Sequence, residues 1–156
     1  MEFWLQQNSD KFQLPVKPSD YTVSVSHKNT VVNVIQVGDV NLIGNTGLRE
    51  ISLKSFFPAK DYNFSNNAGR KQPLTYVEKI ESWRKSGTPI RVIITGTLNM
   101  EATVESFVWG EQDATGDIYY TCNLKEYKKI KTKKATVTIA TVKPTVRATK
   151  PQASTA

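Results

Sequence analysis

The sequence contains little of the chemistry on which small enzymes and metalloproteins depend. Its 156 residues include one cysteine and one histidine. Cys122 alone rules out an intrachain disulfide, and its alternation with Tyr120 and Leu124 in a predicted strand indicates a small buried side chain. Without a cysteine–histidine cluster, the sequence predicts no zinc site.

Residues suited to catalysis are equally scarce. His27 lies in a Ser-His-Lys-Asn stretch that is typical of a turn. Glu101 and Glu105 are a candidate carboxylate pair, but at roughly 3.3 Å per residue along a strand they would be about 13 Å apart, too far to share a proton. Asp113 and Asp117 lack the spacing of a calcium loop. The sequence therefore predicts that the protein is not an enzyme and binds no metal or cofactor.

Long apolar runs are also absent. No stretch approaches the roughly 20 apolar residues that a membrane-spanning helix requires. The opening Met1–Trp4 has neither the basic nor the apolar region of a signal peptide. We therefore expect a soluble protein that is made in a cytoplasm and has no membrane partner.

Negative charge is missing from the end of the chain, and this absence accounts for the formal net charge of +7. Residues 1–127 hold 13 Lys and Arg against 14 Asp and Glu, so their net charge is 13 − 14 = −1. Residues 128–156 hold the other eight basic residues and no acidic one. The basic balance therefore describes a tail, which argues against a nucleic-acid-binding face on the folded part.

The same C-terminal stretch has no aromatic residue and consists mostly of Thr, Ala, Val, Lys and Pro. Such a composition buries too little apolar surface to offset the entropy of ordering it. We therefore predict a folded domain over 1–131 and an extended linker or interaction arm over 132–156. Within the arm, Thr136–Val142 alternates well enough to join the sheet edge of a partner.

The predicted domain is mainly β. Apolar and polar residues alternate with the period of half-buried strands, and glycine, asparagine and aspartate mark the turns between them. We predict about seven strands, the last two paired as an antiparallel hairpin, with an irregular polar loop over Asp61–Gln72. The clearest strand segments are Tyr21–Ser26, Thr30–Val37, Leu48–Leu53, Ile90–Thr97, Glu101–Trp109 and Asp117–Tyr127.

One helix is predicted to flank this sheet. Pro73 suits the first helical turn because its missing N–H costs nothing there, and Gly87 followed by Pro89 ends the helix. Four apolar residues recur at helical spacing and predict the face that packs on the sheet: Tyr76, Val77, Ile80 and Trp83.

Several short patterns resemble the N-terminal domain of LysM-containing tail proteins from PBSX-like prophages and related contractile phages of Gram-positive bacteria. They are the opening Met1–Pro15, Ile51–Leu53 with Phe56–Pro58, the helix through Trp83, Pro89–Met100, Val104–Phe107 and Gly116–Tyr127. The resemblance covers about residues 1–131. It implies a small antiparallel barrel of the phage tail-tube type with one flanking helix and an extended C-terminal linker. In that family a LysM domain normally follows the linker, and the arm resembles the lead-in to it.

The resemblance also implies a structural role. Copies of such a domain form a sixfold ring that joins the tail tube to the central hub and spike, within a virion or tail-like particle assembled in the host cytoplasm. The implied partners are further copies of the chain, tube proteins, the hub, and baseplate or sheath-initiator proteins reached through the arm. DNA passes through such a ring only as cargo.

Acidic residues gather in the predicted last hairpin, where they could face a channel and discourage DNA from sticking. An ordinary solvated strand face explains them equally well. The alternative to a ring subunit is a module that binds cell-wall glycan or single-stranded nucleic acid, with Tyr119 and Tyr120 as stacking residues. The candidate channel-facing residues are Glu101, Glu105, Glu111, Asp113 and Asp117.

Overall fold

The computed structural model describes residues 1–66 and 69–130, which form nine strands and one helix. The predicted arm at 132–156, with its strand-like piece Thr136–Val142, lies outside the described residues. The strands are β1 (Phe3–Gln7), β2 (Asp10–Gln13), β3 (Tyr21–Ser24), β4 (Thr30–Val34), β5 (Gly38–Leu42), β6 (Glu50–Phe57), β7 (Ile90–Ile94), β8 (Leu98–Gly110) and β9 (Ile118–Glu126), and the helix is α1 (Pro73–Lys85).

Seven strands form one antiparallel sheet in the order β2-β1-β7-β8-β9-β6-β3, and β4 and β5 form a separate ribbon. The predicted class, mainly β with one helix, is confirmed. The predicted barrel needs a correction, because no hydrogen-bond ladder joins the end strands β2 and β3. Pro15 and Pro18 lie in the segment between them, and proline lacks the N–H that a ladder needs.

Side chains cover the gap that the ladder leaves open. The ring of Phe3 in β1 lies 5.4 Å from the ring of Tyr21 in β3, edge to face. The Ser55 hydroxyl donates to the carbonyl of Val16, 3.0 Å away, which fixes the connecting segment beside β6. The sheet therefore curls around a core without closing on itself.

The core follows from strand alternation. Ile90, Val92 and Ile94 of β7 are buried, as their spacing predicts. In β9 the buried residues are likewise every second one from Ile118 to Leu124. At the centre, the ring of Phe57 stacks on Tyr76 at 5.0 Å and on Tyr120 at 4.4 Å.

Helix α1 begins at Pro73, as the sequence predicts, and buries Tyr76, Val77, Ile80 and Trp83 against the sheet. Its C-terminal end is fixed to β1 by a buried side chain. The Gln7 amide donates to the Ser86 hydroxyl at 3.0 Å and to the carbonyl of Thr88 at 2.9 Å. Gly87, with φ of +66°, then turns the chain toward β7.

A β-bulge changes one sequence-based prediction. Simple alternation along β8 places Ala102, Val104 and Ser106 on one face. The register with β9 shifts between Val104 and Ser106, which leaves Glu105 as the extra residue. As a result Phe107 takes the inward position in place of Ser106, and its ring lies 5.9 Å from that of Tyr120.

Phe57 offers a direct test of this core, because it is fully buried between two other rings. Phe57→Ala should lower the free energy of unfolding by about 3–5 kcal/mol, measured by urea denaturation of the full chain. Phe64→Ala is the matched control, because Phe64 is 64% exposed. It should cost about 1 kcal/mol or less. Equal urea midpoints for the two variants would contradict this account of the core.

Candidate assembly surface

The hairpin of β4 and β5 is separate from the seven-stranded sheet. We call its residues, 30–42, the arm ribbon, which is a different segment from the C-terminal arm at 132–156. Its two strands pair only with each other. The chain is pinched where it leaves and re-enters the body: Lys28 N–H donates to Asn45 O at 3.0 Å, and Gly47 N–H to Ser26 O at 2.6 Å. A Cβ at Gly47 would lie only 2.8 Å from the Ser26 carbonyl oxygen, so this close approach requires glycine. Because an isolated two-stranded hairpin is marginally stable in water, the arm ribbon needs outside support.

The arm ribbon has one apolar face. Val32 lies opposite Val40, and Thr30 lies opposite Leu42. The other face is mostly polar, and there the Asn33 amide donates to the Asp39 carboxylate at 2.7 Å. Pairing within the ribbon leaves this apolar face without a second layer. The residues of the apolar face are Val32, Val34, Val40 and Leu42.

Exposure is greatest at the tip and at the end of the arm ribbon. Ile35 is 88% exposed at the tip and Ile43 is 85% exposed just past β5. Residues 29–48 hold a single charged residue, Asp39. Exposed apolar surface of this kind, with little charge to keep it solvated, is typical of the surfaces through which proteins bind one another.

Unpaired strand edges form a second feature that invites a partner. Strands β2 and β3 end the sheet on its two sides. The pairing of β7 with β8 stops at Ala102, so among residues 1–66 and 69–130 no strand pairs with that edge of β8 from residue 103 to 110. Val108 and Trp109 on this stretch are 66% and 45% exposed. Unpaired backbone beside exposed apolar side chains is a template for strand addition.

The candidate channel-facing carboxylates do not form one cluster. Asp117 is 2% exposed, so the prediction that it faces a channel is wrong. Its carboxylate instead accepts hydrogen bonds from the Ala59 N–H, at 2.7 Å, and from the Tyr62 hydroxyl. The buried carboxylate satisfies the turn between β6 and the following loop, which explains why aspartate is placed there.

Glu101, Glu105 and Asp113 remain at the surface but far from one another. Glu101 pairs with Lys129 at 2.9 Å, and Glu105 accepts from the Thr103 hydroxyl at 2.7 Å. Asp113 lies in the loop after β8, where Thr115 donates to it. Glu101 lies nine residues before Gly110, the last residue of β8. At the rise of an extended strand, this places the two residues roughly 30 Å apart. Whether these residues face a channel stays a prediction.

The Asp117 site has a defined electrostatic balance. Burial alone would raise the pKa of the Asp117 carboxyl, but the hydrogen bonds from Tyr62, Ala59 and Thr115 outweigh it and hold the pKa below its usual value. The hydrogen bond from Tyr62 to Asp117, together with burial, raises the pKa of the Tyr62 hydroxyl to about 12. Asp117 is therefore ionised, and Tyr62 a hydrogen-bond donor, at neutral pH.

The residues that the sequence offers for other functions, base stacking or catalysis, are Tyr119, Tyr120, Cys122 and His27. Tyr120 is buried, so of the two candidate stacking residues only Tyr119 reaches the surface. Cys122 is buried as predicted, and burial raises the pKa of its thiol to about 12, which keeps it protonated. His27 is exposed at the neck of the arm ribbon, bridged to Thr46.

Two further findings concern the part of the chain that the structure describes. No three His, Cys, Asp or Glu side chains there come together as a metal site. No helix there is both long and apolar enough to cross a bilayer.

Comparisons with known proteins find a relative in sequence and a likeness in fold. No family model matches the chain. A protein of Bacillus subtilis (strain 168) described as "Uncharacterized protein YqbP" is 40% identical over 142 residues, which are 86% of this chain and 65% of that protein. The chain thus spans a little under two-thirds of the length of this relative.

Among solved structures, a chain from the virion of a native gene transfer agent particle aligns with 81% of this chain and 92% of its own length. The TM-score is 0.51 and the sequence identity is 13%, so the likeness concerns the fold alone. A chain from the baseplate of the anti-feeding prophage also aligns, with 13% identity over 81% of this chain and 87% of its own, but its TM-score of 0.41 is too low to support a conclusion. The fold is therefore one that a virion component also uses.

Local alternation predicts Thr30–Val37 as one strand and does not predict the arm ribbon. In the structure β4 ends at Val34 and β5 begins at Gly38. The signal that could have identified the ribbon was the run of twenty residues, 29–48, with one charge. Such a run, rich in β-branched residues and flanked by Lys28 and Arg49, is unusual for a hairpin that water surrounds.

The buried carboxylate predicts a pH dependence. Because the pKa of Asp117 is lower in the folded chain than its ordinary value of 3.8, its contribution to stability is complete above that value and is lost as the pH falls through the folded pKa. Asp117→Asn should lower the free energy of unfolding at pH 7 by about 2 kcal/mol. The difference from wild type in urea midpoint should shrink as the pH is lowered below the ordinary pKa. Asp113→Asn, in the exposed loop nearby, should show little change at either pH.

Proposed function

We propose that this protein is a structural subunit of a phage tail or tail-like particle, and that copies of it form a ring joining the tail tube to the central hub and spike. The observation that carries the proposal is the arm ribbon, an apolar, almost uncharged hairpin held away from the body. A monomer gains nothing from such a surface, since isolated hairpins are marginal and exposed apolar patches promote association. A subunit that buries the ribbon in its neighbour gains both stability and a fixed position.

Two kinds of similarity support this proposal. The fold resembles that of a chain in the virion of a gene transfer agent particle. The sequence patterns in residues 1–131 resemble the tube-like domain of phage tail proteins. The ring, the tube and the hub are proposed from the resemblance in sequence, and the surfaces described above support the part of the proposal that concerns contact between copies.

The positions of these surfaces favour a head-to-tail contact. The arm ribbon leaves the body between β3 and β6, whereas β2 ends the sheet on the side opposite β3. Beyond Ala102, β8 pairs with β9 on one edge, and its pairing with β7 on the other edge has ended. A contact between two different patches is heterologous, and it forms a closed ring when the rotation per subunit closes. We propose a sixfold ring, with contacts of more than roughly 1,000 Å² for each pair of subunits.

The remaining parts of the proposal follow from this role. The protein is not an enzyme and acts through assembly, in a virion or tail-like particle put together in the host cytoplasm. The arm at 132–156 reaches baseplate or sheath-initiator proteins. Glu101, Glu105 and Asp113 provide surface carboxylates that would repel the phosphates of DNA in transit, which is cargo and not a ligand of the ring.

Adjacent residues of β5 provide a matched pair of variants. Leu42→Lys places a charge on the apolar face of the arm ribbon, and Asn41→Lys places the same charge on the polar face. Leu42→Lys should abolish incorporation into tail particles, because burying an unpaired ammonium is strongly unfavourable. It should change the urea midpoint of the isolated chain little, since Leu42 is 50% exposed. Incorporation of both variants at the wild-type level would contradict a role for the apolar face.

The copy number in particles tests the function itself. Quantitative mass spectrometry of tail particles purified from the source organism should find this protein at a fixed ratio of about six copies per particle, as a closed sixfold ring requires. Absence from intact particles would overturn the proposal. A count in the hundreds would indicate a main tube subunit and exclude a single ring.

A further inference from the structure

A cavity with cationic and aromatic walls lies between the edge strand β2 and the start of α1. Its volume is about 360 Å³, within the range of small-molecule sites. Three rings and three ammonium groups face it, and among the described residues that line it there is no arginine. The residues that matter for its chemistry are Trp4, Lys11, Phe12, Lys71, Tyr76 and Lys79.

Two of the three lysines are free to meet a ligand. Lys79 pairs with Asp10 at 2.8 Å. Lys11 lies over the ring of Trp4, with Nζ 5.4 Å from its centroid. Among the ion pairs of residues 1–66 and 69–130, none involves Lys11 or Lys71. The three lysines carry three positive charges, and Asp10 offsets one of them. The cavity therefore has two positive charges available to a ligand.

The rings are held in place before any ligand arrives. The ring of Phe12 lies 5.4 Å from that of Tyr76 and 5.5 Å from that of Trp83. The Tyr76 hydroxyl accepts a hydrogen bond from the Lys71 N–H at 3.1 Å, and its ring stacks on Phe57. The aromatic wall is therefore continuous with the core, so that binding would require little reordering.

The start of α1 adds to the positive potential. No side chain caps the helix at Gln72, and its first turn holds no acidic residue. Thr75, in this turn, lines the cavity. The helix dipole thus acts in the same direction as Lys11 and Lys71.

We propose that this cavity binds the phosphate ester of a ring compound, a nucleotide or a sugar phosphate. Lysine ammonium groups act as point charges toward phosphate, whereas planar carboxylates are met best by the fork of arginine. The rings beside the lysines provide the stacking surface on which a base or sugar lies. This site is additional to the proposed ring function. Its residues lie outside the arm ribbon, although Lys11 and Phe12 belong to the edge strand β2, and it is tested on the isolated chain.

The test is a titration of the full chain, observed by ¹H–¹⁵N NMR at physiological salt through the indole N–H of Trp4. The probes are thymidine 5′-monophosphate, glucose 1-phosphate, inorganic phosphate and an Asp/Glu peptide. Lys11→Gln/Lys71→Gln should weaken binding of the ring phosphates about tenfold or more, since each charge-assisted contact is worth on the order of 1.5 kcal/mol. Lys28→Gln/Lys54→Gln removes the same charge elsewhere and should leave the affinity unchanged.

Each outcome decides the proposal. Binding of the nucleotide alone would support it with nucleic acid as the source, and binding of glucose 1-phosphate alone would support it with a cell-wall polymer as the source. Binding of both would support the shared chemistry. Inorganic phosphate or the peptide binding as tightly as the ring compounds would overturn it. So would equal losses in the two double variants, or no shift of the Trp4 signal at probe concentrations on the order of 10 mM. Because the copy number in particles is measured separately, failure here leaves the ring function standing.

Discussion

The stack of Phe57 between Tyr76 and Tyr120 is the contact on which the rest of the structure depends. It joins the last residue of β6 to the helix on one side and to β9 on the other, with centroid distances of 5.0 and 4.4 Å. Because the sheet is not closed by hydrogen bonds, its curvature must be held by what fills it. Aromatic rings are suited to this task, since each buries a large area with few rotatable bonds. The helix, in turn, is positioned by the same stack, and its first turn forms one wall of the cationic cavity.

Around this core, some elements are fixed by hydrogen bonds within the chain and others are not. Asp117 satisfies the turn after β6 from within, and Gln7 ties the end of the helix to β1. In contrast, the arm ribbon and the outer edge of β8 are left without partners in the described part of the chain. Natural proteins usually protect strand edges and charge their exposed hairpins, and this contrast is the reason why the proposed contacts are placed there. The near-neutral charge of residues 1–127 is consistent with this, because close subunit packing tolerates little like-charge repulsion.

The sequence predicted the class of the fold and the helix well, because both depend on local periodicity. Pro73 and the spacing of Tyr76, Val77, Ile80 and Trp83 contain all the information that the helix needs. The strands β1, β2 and β5 were not predicted, and neither was the bulge at Glu105. Their existence depends on pairing with residues far away in the chain, and no local pattern encodes a register shift. Asp117 was misplaced for the same reason, since its burial follows from Ala59 and Tyr62, more than fifty residues earlier.

The two surfaces also differ in how far sequence alone could have led. The apolar arm ribbon is a continuous segment, so its charge depletion is visible in the sequence once its exposure is suspected. The cationic cavity is assembled from Trp4 and Lys11 in one stretch of the chain and Lys71 and Lys79 in another, and each residue has an ordinary neighbourhood in the sequence. Only the curl of the sheet and the docking of the helix bring their charges and rings together. The proposed ring function requires an assembly surface that stays apolar and available, whereas the proposed ligand site requires walls that are rigid before the ligand arrives. The fold meets both conditions by placing the first on a free-standing ribbon and the second against the core.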